Sequence, residues 1–113
     1  MELQYSELDN GIRLIKLYGV LDLLGVGLVE RKLAEHSAGA QPWIILDLSG
    51  VTFIASIGIR LIVITAKSVS GHGGKLVLLN PIPGVKDILE LTGITQEIPV
   101  YMNPDEAKSA LKT

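Results

Sequence analysis

Leu3, Tyr5 and Glu7 alternate with Glu2, Gln4 and Ser6, a two-residue period that predicts a short edge strand. Asp9-Asn10-Gly11 is a turn signal, so Ile12 to Tyr18 is expected to return antiparallel as the second arm of a hairpin. Gly19-Val20-Leu21-Asp22 closes that arm. From Leu24 to His36 the spacing turns helical, with Val26, Val29 and Leu33 on one stripe, and Gly25 and Gly27 weaken the first turn. Ser37 to Pro42 reads as loop. Trp43 to Leu48 predicts a central strand, apolar on both faces until Asp47.

A second helical period follows Ser56 and runs to about Ser70, where Gly71-His72-Gly73-Gly74 stops it. Lys75 to Leu79 predicts another buried strand, broken by Asn80-Pro81-Ile82-Pro83-Gly84. Val85 to Thr92 is helical through Val85, Ile88 and Leu89, and Gly93 ends it. Gln96 to Val100 is expected to be a last short strand. Asn103-Pro104-Asp105-Glu106 opens a final helix, with Asn103 as N-cap, proline at N1 and Glu106 at N3. Strands alternating with helices imply an α/β fold. The expected sheet is mixed and mostly parallel, four to five strands with an N-terminal antiparallel hairpin, accompanied by about four helices in one domain spanning residues 1–113.

Composition removes whole classes of function. Hydrophobic residues make up 48% of the 113, which argues against disorder. The formal net charge is −2 and the ten basic residues are scattered, so no nucleic-acid footprint is present. With no cysteine, disulfides and thiolate metal sites are excluded, as fits a reducing compartment. The N-terminus lacks the charged and apolar regions of a signal peptide, and no apolar stretch is long enough to span a bilayer. The expectation is a soluble, cytoplasmic protein with no direct membrane insertion.

The familiar catalytic groupings are missing as well. His36 falls near a predicted helix end and His72 in a glycine turn, each expected to be a solvated histidine. Gly71-His72-Gly73-Gly74-Lys75 lacks the spacing of a phosphate loop and precedes a strand where such a loop precedes a helix. A nucleophilic serine needs a base and an orienting acid, and Ser56 has neither in its own stretch. Neither enzymatic activity nor a cofactor is expected.

Ser56 stands where an N-cap belongs, between an apolar strand and an apolar helical period, and a capping bond there contributes about 1 kcal/mol. The helix behind it carries two apolar stripes. Ile59, Ile62, Val63, Ala66 and Val69 form the side expected to cover the sheet. Ile57, Leu61 and Ile64 form the opposite side, with Arg60 and Lys67 beside them. That second stripe must pack under a neighbouring helix or meet another protein. A phosphate on Ser56 adds roughly −1.5 to −2 charge at a helix N-terminus, where the fold tolerates it, while a partner docking over Ile57, Leu61 and Ile64 does not.

These residues resemble the STAS family, named for sulphate transporters and anti-sigma factor antagonists. The resemblance runs across nearly the whole chain, through Gly19-Val20-Leu21-Asp22, Asp47-Leu48-Ser49-Gly50-Val51 and Ala55-Ser56-Ile57-Gly58 with its helix. Gly74-Lys75-Leu76-Val77-Leu78 and Leu91-Thr92-Gly93-Ile94 complete it. It implies a non-catalytic sheet-and-helix domain of the stand-alone type, which binds an anti-sigma factor that is also a serine protein kinase. The unphosphorylated form holds that kinase and frees the sigma factor. Phosphorylation of a serine at the start of the second helix, by position Ser56, releases it. Asp22 matches the family's acidic residue after the second strand. Antagonists usually carry Asp-Ser-Ser-Gly where this chain has Ala55-Ser56-Ile57-Gly58, so the phosphoacceptor is kept and its polar surroundings are lost. The expected partner-binding set is Asp22, Ala55, Ile57, Gly58, Arg60, Leu61 and Ile64.

Other readings stay open at this level. The site could be degenerate, the domain serving as a scaffold in a stress-sensing complex or as an accessory subunit of a lipid transporter. A small phosphocarrier enzyme would need a base or phosphate loop that the sequence does not show. The double-sided helix could also be a homodimer contact.

Overall fold

In a computed structural model, which describes residues 1–111, five strands form one sheet in the order β1-β2-β3-β4-β5. They are β1 (Glu2–Glu7), β2 (Ile12–Leu21), β3 (Trp43–Ile54), β4 (Lys75–Leu79) and β5 (Val100–Tyr101). β1 pairs antiparallel with β2, and every other pairing is parallel. The helices are α1 (Leu23–His36), α2 (Ser56–Gly71), α3 (Pro83–Leu91) and α4 (Pro104–Leu111). A turn with left-handed Asn10 and Gly11 joins β1 to β2, and a single 3₁₀ turn occupies Ile94–Gln96. This is the α/β arrangement that the alternating periods predict.

Strand alternation sorts the core into two layers. Ile44, Leu46 and Leu48 of β3 and Leu76 and Leu78 of β4 point to the face covered by Val26, Val29 and Leu33 of α1, Ile62 and Val69 of α2, and Val85 and Leu89 of α3. Ile12, Ile45, Val77 and Leu79 point to the other face, where Ala107 and Leu111 of α4 cover them. The double-sided hydrophobicity of β3 and β4 follows from having helices on both faces.

The structure departs from the sequence-based expectations in several places, each with a local cause. β3 does not end near Leu48 but continues to Ile54. Its register against β2 slips twice, between Lys16 and Tyr18 and between Gly19 and Val20, and each slip places an extra residue on β3. Asp47 and Gly50, which look like strand breakers, serve the first bulge. The Asp47 carboxylate accepts the Ser49 N–H at 2.9 Å, and a Cβ on Gly50 would lie 2.8 Å from the Leu17 carbonyl oxygen. The expected strand from Gln96 to Val100 is reduced to Val100–Tyr101. Ile94–Gln96 turns as 3₁₀ after left-handed Gly93, with Ile94 and Ile98 buried as anchors. His36 is not freely solvated; its ring stacks on Tyr5 with centroids 4.1 Å apart. The glycine turn after α2 closes against Pro42, whose carbonyl oxygen accepts the Lys75 N–H at 2.9 Å, and it leaves no cradle for a phosphate.

Candidate functional site

The sequence-predicted residues converge where the C-terminal ends of β2 and β3 feed α1 and α2. A bond across the strands sets the geometry, the Ala55 N–H donating to the Leu21 carbonyl at 3.0 Å. The pairing therefore holds Ala55 extended, at φ −96 and ψ 172, and α2 begins one residue earlier than its polar signal suggests. Ala55 is the N-cap, its carbonyl accepting the Gly58 and Ile59 N–H groups at 2.9 and 3.1 Å. Ser56 is not the N-cap but the first helical residue. Its hydroxyl makes no capping bond, and the side chain is exposed.

Asp22 does cap a helix. Its carboxylate accepts the Gly25 N–H of α1 at 2.9 Å, and the Asp22 carbonyl accepts the Val26 N–H at 2.8 Å. The two helices thus start side by side, and two glycines allow it. A Cβ on Gly25 would fall 2.1 Å from the Val20 carbonyl oxygen, and one on Gly58 would fall 2.6 Å from the Leu21 carbonyl oxygen. Gly25 therefore does more than weaken a helical turn: it lets α1 start flush against β2. Gly58, expected among the partner-contacting residues, lies on the buried side of α2, where the absence of a side chain lets the helix pack closely on Leu21.

The faces of α2 are also rotated from the expected in-and-out split. Its buried line is Gly58, Ile62, Thr65 and Val69. Ile59, Val63 and Ala66 flank that line on one side and are half-buried, as are Ile57 and Leu61 on the other. Ile57 and Leu61 line a groove between α1 and α2 with Val26, Glu30, Arg60 and Ile64. α1 thus half-covers the second stripe, and only Ile64, 52% exposed, stands clear of it, beside exposed Arg60. Thr65 is tolerated on the buried line because its hydroxyl donates to the Leu61 carbonyl at 2.7 Å.

The larger uncovered surface lies on residues that the sequence reading did not single out. Leu23, Leu24 and Leu28 of α1 are 70, 78 and 66% exposed. Val20 and Phe53, register partners on β2 and β3, are exposed at the same pole, and Phe53 lines a shallow depression with Ser56, Ile59 and Ile88. The leucines were visible in principle: Leu24 and Leu28 are one turn apart and off the Val26, Val29 and Leu33 stripe. Among these exposed residues, Phe53 is the one that shares a depression with the free Ser56 hydroxyl. Among the described residues, no group of three or more histidine, aspartate or glutamate side chains is placed to hold a metal, and no helix is long and apolar enough to cross a membrane.

Known proteins share this arrangement. The sequence model of the STAS domain matches residues 6–107. BtrV of Bordetella bronchiseptica, whose name describes an anti-sigma factor antagonist, is 29% identical over 113 residues, covering all of this chain and 97% of its own. The crystal structure of an anti-sigma factor antagonist from Mycobacterium paratuberculosis superposes with a TM-score of 0.88 at 22% identity, over 99% of this chain and 94% of that one. The anti-sigma factor antagonist SpoIIAA in its unphosphorylated form gives 0.78 at 22% identity, over 98% and 96%.

Proposed function

The chain belongs to the STAS domain family, and we propose that it is an anti-sigma factor antagonist, a non-enzymatic module that docks an anti-sigma factor with serine-kinase activity and is released when Ser56 is phosphorylated. The observation that carries this reading is the Ser56 hydroxyl, exposed and uncommitted at the start of α2 amid apolar surface. The names of BtrV and of the Mycobacterium and SpoIIAA structures support the partner class.

In the transfer, Ser56 Oγ attacks the γ-phosphorus of a nucleoside triphosphate held by the kinase. The new O–P bond forms as the bond to the bridging oxygen breaks, the nucleoside diphosphate leaves, and the hydroxyl proton passes to a base on the kinase. With Ala55 before it, the chain offers no acid of its own at that position, so reachability is what Ser56 supplies. The docking surface is Leu23, Leu24 and Phe53 together with Arg60, Ile64 and the half-buried Ile57 and Leu61. Asp22 and Ala55 set the starts of the two helices beneath it. A dianion in the midst of that surface has to lose its water for a partner to stay, which opposes docking without touching the core.

Affinity purification from the native cell, followed by incubation of the complex with ATP and phosphopeptide mapping, tests the proposal. An anti-sigma factor kinase among the companions, phosphate on Ser56 and dissociation of the complex are the expected results. Ser56 bare under turnover conditions overturns it.

A further inference from the structure

Arg60 follows Ser56 by four residues on α2. Residues so spaced are neighbours on one helix face, with Cβ atoms about 5–6 Å apart. Long helical side chains lean toward the N-terminus, which carries the Arg60 guanidinium back over the turn holding Ser56. An anion one turn N-terminal to a cation is also the favoured order of such a pair. Arg60 is exposed and, among the described residues, has no ion-pair or hydrogen-bond partner. Glu30, the carboxylate that shares the α1–α2 groove with it, forms no ion pair among the described residues.

The geometry points to Arg60 as the intrachain partner of a phosphate on Ser56, the guanidinium folding back one turn to hold the phosphate oxygens with two parallel N–H donors. This rests on Ser56 being the acceptor, as proposed above, and makes no use of the amides at the start of α2. A guanidinium matches phosphate oxygens in a two-pronged contact that a lysine ammonium does not reproduce. Modification then changes the docking surface in two ways. It adds an anion at Ser56, and it withdraws the cation from a groove whose other charged lining residue is Glu30. Lys67, also exposed on α2, lies eleven residues beyond Ser56, about 16 Å along the helix, and is too far to share the role.

The test places phosphoserine at position 56 during translation, using a suppressor tRNA charged with it, so that no kinase is needed. The second ionisation of the phosphate, near 6 in free phosphoserine, is then followed by ³¹P NMR. It is expected to fall lower in the wild-type chain than in Arg60→Gln by about 0.5 unit or more, with Arg60→Lys between them and Lys67→Gln like wild type. The difference should shrink as salt rises. A readout needing no substitution is the Arg60 Nε–H resonance, expected to shift and gain protection from exchange on phosphorylation. Identical titration in wild type and Arg60→Gln, an equal effect of Lys67→Gln, or an unmoved Arg60 resonance overturns the pairing. Failure of a kinase to modify Ser56 would instead defeat the functional proposal and leave this titration as it stands.

Discussion

Replacing Ile62 and Ile64 separately by aspartate separates the core of α2 from its proposed docking surface, although the two residues stand only two positions apart. Ile62 is fully buried among the residues joining α2 to the sheet. Removing a buried isoleucine side chain costs about 2–5 kcal/mol, and an unpaired carboxylate in its place adds several more. That total takes most of the roughly 5–15 kcal/mol by which a domain of this size is stable. Ile64 is 52% exposed. Full burial of isoleucine contributes about 1.5–3 kcal/mol, so the part already buried contributes about 1 kcal/mol and its loss leaves the domain folded. The exposed part would contribute about another 1 kcal/mol on docking. An aspartate there forfeits that and sets a carboxylate to be desolvated, for a combined loss of about 2–4 kcal/mol, or roughly 30- to 1,000-fold in Kd.

Circular-dichroism melting and calorimetric titration against the anti-sigma factor kinase measure the two effects. Ile62→Asp should fail to give a cooperative melt near room temperature. Ile64→Asp should melt within about 8 °C of wild type while binding far more weakly. Leu61→Asp should fall between them in both assays, because α1 half-covers that residue. Equal loss of melting temperature from Ile62→Asp and Ile64→Asp would mean that the faces of α2 are misassigned. Wild-type affinity in Ile64→Asp would remove this stripe from the interface.

Ser56→Ala should leave the melting temperature within about 2 °C of wild type, because the hydroxyl caps nothing, while abolishing phosphate incorporation on incubation with kinase and ATP. Asp22→Ala, which strips the cap from α1, should cost about 1 kcal/mol and lower the midpoint by roughly 4–8 °C in the same melt. Gly25→Ala forces a methyl group against the Val20 carbonyl and should cost about 2–4 kcal/mol, a drop exceeding 10 °C. Leu24→Asp with Leu28→Asp should leave folding intact, since both side chains are mostly exposed. Light scattering over a concentration series of this pair and wild type shows whether those leucines join two copies. A wild-type chain monomeric throughout assigns them to a different partner or to none.

What the sequence revealed and what it hid divide along the range of the interactions. The first four strands, the four helices and the stops at Gly93 and Gly71-His72-Gly73-Gly74 were legible because their signals are local: alternation, the 3.6-residue period and turn chemistry. The β3 extension was not, because Asp47 and Gly50 resemble breakers until β2 is set beside them and two bulges absorb the mismatch. The start of α2 was missed by one residue for the same reason, since the Leu21–Ala55 bond joins positions 34 apart. The two stripes of α2 were read correctly as apolar, but a helical wheel cannot say that the sheet lies beneath the line between them or that α1 leans over one edge. The close approach of Gly58 to Leu21 was likewise invisible, because it depends on where β2 ends relative to α2. The uncovered leucines of α1 escaped notice because an exposed leucine is ordinary until its neighbours are known.

The one-residue shift at Ser56 bears directly on the proposed switch. A serine at the N-cap commits its hydroxyl to the first turn, and modifying it exchanges one stabilising contact for another and couples the charge to folding. Here the strand pairing lends Ala55 to the capping position, where an apolar side chain suffices because the cap is made by its backbone carbonyl. Ser56 is left with an exposed hydroxyl on which no part of the fold depends. The start of α2 does not depend on an acid at position 55, since the cap is made by the backbone carbonyl. A modification at such a position can change what binds while leaving what is folded unchanged, and that separation is what a reversible partner switch requires.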